Sequence, residues 1–324
     1  MSRFRAALLA LLAATFVSAI SAQAQDYPSQ TIKLIVPFTP GGPVDALGRV
    51  IAKRLETQLG QTIVIENKPG GGTTLGAKMT AAATPDGYTL LLIGPNLAYY
   101  PVLFPKLDFD PEKSLVPVAT LVTWSHVFSV APSLPVKTAA ELVSYAKANP
   151  GKVAFGYGLA TMPHILGEAF IRQTGVDIVR VPYRGGSQAR ADLLGGRIQF
   201  NIAPVPQLLP LIRDKKIRAI AYTAMKRDPD MPDVPTMTES GFPQIGYHPD
   251  VWMGILAPAG TPAAIVSKLN KEVNAVLKSD EMKPVFRRYA YDAFVSTPDE
   301  FAKFFASQMK KWPPVLRSVG LQAQ

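Results

Sequence analysis

Val36-Pro37-Phe38-Thr39-Pro40-Gly41-Gly42-Pro43-Val44-Asp45 joins an apolar β-run to an amphipathic helical pattern through a turn with almost no side-chain bulk. A strand, a glycine turn and a helix in that order form the repeating unit of an α/β fold. The turn also leaves bare backbone at a helix N-terminus, where unpaired N–H donors and a partial positive charge favour a carboxylate or phosphate. A tight connection that binds nothing reads the same way, so recurrence carries the weight.

The unit recurs twice. Phe155-Gly156-Tyr157-Gly158-Leu159-Ala160-Thr161-Met162-Pro163-His164 ends a strand in a glycine loop, with Thr161 placed to cap a helix and Pro163 in its first turn. A dinucleotide fingerprint needs a third glycine where Thr161 stands and an acidic residue about twenty positions on. Arg180 falls there instead, which excludes NAD and FAD. Val181-Pro182-Tyr183-Arg184-Gly185-Gly186-Ser187-Gln188-Ala189 is the third junction, with Ser187 expected as N-cap. It misses the hydrolase pattern G-x-S-x-G by one residue, because Ala189 occupies the last glycine position. Ser187, an acid such as Asp233 or Asp250, and His248 still follow hydrolase order, so an exported serine hydrolase stands as an alternative. An N-cap role explains Ser187 without chemistry.

Around these junctions β-rich runs alternate with helical patterns: 31–36 then 45–59, 62–66 then 75–83, 88–93, 152–155 then 161–173, 177–182 then 187–194, 197–203 then 207–212, and 217–223. That order predicts mostly parallel sheets flanked by helices. Leu34-Ile35-Val36 and Leu90-Leu91-Leu92-Ile93 are apolar throughout, as strands covered on both faces should be. Thr261-Pro262 and Thr297-Pro298 open two helices near the C-terminus, read as packing helices. The pattern pauses at Leu115 to Val127 and Ser240 to Trp252, expected as two crossovers between lobes. The division is then 25–124 with 248–324 as an outer lobe and 125–247 as an inserted second lobe.

Residues 1–24 read as a secretory signal, with Arg3 and Arg5 before the apolar run Ala6 to Ile20 and Ala22-Gln23-Ala24 as cleavage site. The run is shorter than the roughly 20 residues a spanning helix needs, which argues against a membrane anchor and for export to the periplasm. The formal charge is +10, or +8 without Arg3 and Arg5. Its basic residues are dispersed, with no aromatic-interleaved stripe, which argues against nucleic acid and for attraction of small anions. There is no cysteine, which excludes disulfides, thiolate metal sites and cysteine nucleophiles.

Three histidines, His126, His164 and His248, stand far apart and outside any H-E-x-x-H pattern, so no metal is expected. His164 and Glu168, four apart on one helical face, read as a local ion pair. The phosphate loop G-x-x-x-x-G-K-[ST] is absent and no cofactor is expected. Asp45 falls in the first helical turn, where it complements the dipole and can also order the loop or meet a ligand. Phe38 reads as core or cleft floor, and Trp124 and His126 as cleft lining or buried crossover.

Taken together, Val36-Pro37-Phe38-Thr39-Pro40-Gly41-Gly42 with Asp45, Asn67-Lys68-Pro69-Gly70-Gly71-Gly72, Pro85-Asp86-Gly87-Tyr88-Thr89-Leu90, Val181-Pro182-Tyr183-Arg184-Gly185 and Asp192-Leu193-Leu194-Gly195-Gly196 resemble the Bug-type extracytoplasmic solute receptors of tripartite tricarboxylate transporters. Pro232-Asp233-Val234-Pro235-Thr236 and Leu256-Ala257-Pro258-Ala259-Gly260-Thr261-Pro262 extend the likeness along the chain.

The resemblance implies a two-lobe periplasmic binding protein fold of type II-like architecture, without enzyme activity, working as a monomer with integral membrane transporter subunits. It places a small carboxylate among Phe38, Thr39, Gly41, Gly42 and Asp45 of one lobe and Tyr157, Gly158, Ala160, Thr161, His164, Arg184 and Ser187 of the other. The family's facing loop is usually rich in serine or threonine. Here Tyr157, Leu159, Ala160 and Met162 stand in it, which favours a dicarboxylate or aromatic carboxylate over a small hydroxylated acid such as citrate. A ligand sensor for a membrane signalling partner is the remaining alternative.

Overall fold

The computed structural model describes residues 27–158, 161–183, 185–224, 226–245, 251–318 and 320–321. The expected export signal, the site residues Ala160 and Arg184, and the hydrolase candidates His248 and Asp250 lie outside the described residues.

Two sheets organise the chain. The first contains β1 (Ile32–Val36), β2 (Ile63–Asn67), β3 (Thr89–Ile93), β4 (Leu115–Trp124), β10 (Val251–Pro258) and β11 (Asp292–Ala293), in the order β11-β4-β10-β3-β1-β2. In the second are β5 (His126–Val130), β6 (Ala154–Gly158), β7 (Val179–Tyr183), β8 (Phe200–Pro204) and β9 (Arg218–Tyr222), ordered β7-β6-β8-β5-β9. β1 is parallel to β2 and β3, and β6 is parallel to β7 and β8. One antiparallel strand interrupts each sheet: β10 lies between β3 and β4, and β5 between β8 and β9.

Those two strands have a common cause. β4 runs along the first sheet to Trp124, the chain crosses at Ser125, and β5 continues at once into the second sheet. A strand that enters from the opening must run away from it, against neighbours whose carboxyl ends face it. The irregular crossover expected over Leu115 to Val127 is therefore mostly strand, and its single proline, Pro117, lies beside one of two register shifts in the pairing with β10. Alternating buried positions, which usually betray a strand, are missing because nearly every residue of β4 is covered on both faces.

Helices cover both faces of each sheet, as the alternation requires. Pro43–Leu59 and Ala263–Lys278 pack on one side of the first sheet, and Asn96–Leu103 and Pro298–Ser318 on the other. Gly48 permits the close approach of the first of these, since a Cβ there would sit 2.9 Å from a Leu92 methyl. Asn96–Leu103, Ala139–Ala148 and Lys283–Tyr289 are helices that the sequence pattern did not reveal. The first carries Pro101 in its interior, where helical propensity argues against proline, whereas Pro284 stands in the first turn of the last, where proline is tolerated.

Candidate functional site

Because the strands of each core are parallel, all their carboxyl ends gather on one edge of the sheet. Val36, Asn67, Ile93 and Trp124 mark that edge in the first lobe, and Gly158, Tyr183 and Pro204 mark it in the second. A cavity of about 310 Å³ lies between the two edges. Gly41, Gly42 and Ala46 line it from the first lobe, together with Trp124, Tyr289 and Tyr291. Pro204, Pro206 and Gln207 line it from the second. Ligands of open α/β sheets bind beyond strand carboxyl ends in this way.

The first wall is built around a buried carboxylate. Gly41 has φ +78°, which a side chain would strain, and this conformation turns its N–H back to Asp45 Oδ2 at 2.9 Å. Arg49 Nε donates to the same oxygen at 3.0 Å, while Asn67 Nδ2 donates to Asp45 Oδ1 at 2.9 Å and to the Phe38 carbonyl at 3.1 Å. Burial works against the charge on Asp45, but the bonds from Arg49, Gly41 and Asn67 outweigh it and hold the carboxyl below its usual range. Both Asp45 oxygens are thus occupied inside the loop. Gly42 is the N-cap of helix Pro43–Leu59, and no side chain caps that helix start. Phe38 is half-buried against both faces of the core and Thr39 is exposed, and neither lines the cavity.

The cavity floor is aromatic. Trp124 and Tyr291 meet at a ring-centroid distance of 5.5 Å, and Tyr289 stacks on Tyr291 at 5.6 Å. Neither tyrosine stood out in the sequence, because they enter from a C-terminal helix end far from any glycine turn. His126, in contrast, is fully buried in β5, and burial pushes its imidazole down to about 3.

The second wall holds a helix start that the glycine turns did not announce. Val205–Arg213 begins directly after β8, with Pro204 as N-cap, Pro206 in the first turn and no side-chain cap. Of its first donors, the Val205 N–H is bonded to the Ser125 carbonyl at 3.1 Å. Pro206 has no N–H to give, so with Val205 already bonded the donors left at this start begin with the Gln207 N–H.

Gly158 ends β6, the strand beside β8, so it lies on the same edge one strand further from the cavity. A Cβ at Gly158 would come 3.3 Å from the Gly186 nitrogen, so the two glycine loops are held together by its bareness. Thr161 is the N-cap of Met162–Thr174, but its hydroxyl donates to the Gly158 carbonyl at 2.7 Å and caps nothing. Tyr157 and His164 stack flat, with centroids 4.1 Å apart and planes 4° apart, and both are buried.

Two expectations are corrected. His164 and Glu168 form no ion pair: Glu168 takes Arg180, Nε to Oε1 at 2.8 Å, and burial followed by Arg180 drives the imidazole toward its neutral form against the pull of Glu168. A permanently charged guanidinium outcompetes a buried imidazole. Ser187 is not an N-cap. Gly185 holds that position for Gly186–Leu194, and Ser187 sits exposed in the first turn, without a hydrogen bond to a histidine or carboxylate among the described residues.

A larger hollow of about 590 Å³ borders the far side of Tyr291, lined by Tyr222, Arg227, Asp230 and Arg287 among others. Two of its charges are spent within the protein, Arg227 on Glu239 and Asp230 on Arg213. The smaller cavity, with two uncapped helix starts, is the better receptor for an anion.

Two α/β lobes joined by strands that change sheets, with parallel strand ends turned toward a shared opening, define a two-lobe periplasmic binding protein. The model of the tripartite tricarboxylate transporter family receptor, TctC, matches residues 47–321. The chain belongs to that family of solute-binding receptors. It is 35% identical to protein BugT of Bordetella pertussis, covering 97% of each chain. Among solved structures, an R. palustris protein with adipate is 33% identical, with a TM-score of 0.80 over 92% of this chain and 100% of the other. MatC from Rhodopseudomonas palustris with bound malate is 31% identical, with a TM-score of 0.72 over 90% and 100%. Among the described residues no helix is long and apolar enough to cross a membrane, and no group of three or more metal-ligating side chains occurs.

Proposed function

We propose that the protein captures a small carboxylate between its lobes in the periplasm and delivers it to the membrane subunits of a tripartite tricarboxylate-type transporter. The carrying observation is that helices Pro43–Leu59 and Val205–Arg213 begin on opposite walls of one cavity, neither capped by a side chain. Enclosing a carboxylate is costly unless several donors meet it, and open helix starts supply such donors together with a favourable dipole. Trp124, Tyr289 and Tyr291 give the body of the ligand an apolar surface, which favours a dicarboxylate or aromatic carboxylate. The adipate and malate bound by two similar solved structures support the same class.

The lobes are residues 25–124 with 248–324, and 125–247. The site combines Phe38, Thr39, Gly41 and Gly42, positioned by Asp45, with the edge holding Tyr157, Gly158, Thr161, His164 and Ser187. Rotation about Ser125 and the return crossing closes the lobes, and a ligand touching both walls shifts the population toward the closed form. A screen of mono-, di- and aromatic carboxylates by thermal shift and calorimetry tests this: members of the class raise the melting temperature and are recovered unchanged. Turnover of any of them, or no binding by all, defeats the reading.

A further inference from the structure

Among the described residues Gln207 is the only amide side chain lining the cavity. Its Oε1 accepts from Arg190 Nη1 at 2.8 Å. A guanidinium can only donate, so the carbonyl must face Arg190 and the two amide N–H donors must point away from it. Arg190 lies on helix Gly186–Leu194 and Gln207 in the first turn of Val205–Arg213, so two helices of one lobe fix the amide from both ends. Among the described residues Arg190 has no carboxylate partner, and Gln207 Oε1 is the acceptor it meets.

We infer that Gln207, held by Arg190, is the residue through which the second lobe selects carboxylates bearing a further anionic acceptor remote from the Gly41–Gly42 loop. This rests on the carboxylate-receptor reading and adds the discriminating group to it. One end of the ligand meets the open start of helix Pro43–Leu59, its body lies on Trp124 and Tyr291, and its far end receives the Gln207 N–H donors. The Arg190 charge strengthens that bond and at the same time locks the amide in the donating orientation. Gln207 is the contact, and Arg190 is a positioning residue.

Calorimetry with two matched pairs, adipate against hexanoate and terephthalate against benzoate, tests the inference on the full mature chain. The wild type should bind at least one dicarboxylate more tightly than its monocarboxylate partner. Gln207→Met keeps the side-chain volume and should weaken that dicarboxylate about tenfold to a hundredfold, the range for a hydrogen bond to a charged group, while leaving the monocarboxylate within about twofold. Gln207→Glu gives Arg190 a carboxylate partner, so it should fold at least as stably and reject the dicarboxylate more strongly. Arg190→Met should reduce the preference and Arg190→Lys, which still donates to Oε1, should recover most of it. A dicarboxylate-to-monocarboxylate ratio unchanged in both Gln207 variants overturns the inference and leaves the receptor reading standing. Failure of the wild type to bind any of the four overturns both.

Discussion

Gly41 donates its backbone N–H to the carboxylate of Asp45 at 2.9 Å, so a left-handed glycine and a buried acid four residues on close the loop from which the first wall of the cavity is made. Asp45→Ala leaves this N–H and the Asn67 amide without their acceptor. The expected cost is about 2–3 kcal/mol, read as a lower urea midpoint at unchanged slope. Ligand affinity should fall as well, because the loop loses its fixed shape. Since the folded pKa lies below the ordinary 3.8, the unfolded chain takes up the proton first as pH drops. The contribution of Asp45 is therefore complete above pH 3.8 and lost as pH falls through the lower folded value, and Asp45→Ala should flatten the stability curve in that window.

His126 gives a second acid response, separable by its window. Its imidazole titrates near 6.5 when free and at about 3 when folded. Between those values the unfolded state binds more protons, so stability should fall with decreasing pH by up to about 1.4 kcal/mol per pH unit. Urea unfolding of His126→Phe between pH 4 and 7 should show a shallower slope than the wild type. Equal slopes would contradict burial as the cause.

Trp124 should report ligand. The chain has three tryptophans, and Trp252 and Trp312 are fully buried in the core. A fluorescence change on carboxylate addition should vanish in Trp124→Phe, with affinity reduced about tenfold through lost aromatic surface. Retention of the full signal in that variant would place the ligand elsewhere.

Arg180 separates His164 from Glu168 electrostatically. In Arg180→Met the imidazole should titrate at a higher pH, because a repelling charge is removed while the attraction of Glu168 remains. Histidine proton shifts followed by NMR across pH 4 to 8 measure this. An unchanged titration would mean that burial alone sets the protonation state.

The alternation of strand and helix, and the parallel cores, were legible because runs such as Leu34-Ile35-Val36 can be covered on both faces only in an α/β sheet. The turn at Gly41-Gly42 was legible for a similar reason, since a positive φ demands glycine there. β4 was not, because a strand buried on both faces and bulged against its neighbour shows no period. Ser187 misled because capping chemistry predicts a hydroxyl where glycine in fact stands. Gln207, Tyr289 and Tyr291 reach the cavity through tertiary packing, and no local pattern encodes which distant helix ends will meet.

The exchange of strands at Ser125 also sets an order of assembly. β5 through β9 are contiguous, so the second sheet has all its strands once Tyr222 has emerged. The first sheet must wait: β10 sits between β3 and β4, so until Val251–Pro258 is available β4 has no partner strand linking it to β3. A chain truncated before Val251 leaves β3 open on one edge and β4 on both, a template for mispairing with other copies. The half that is begun first is thus the half that is finished last.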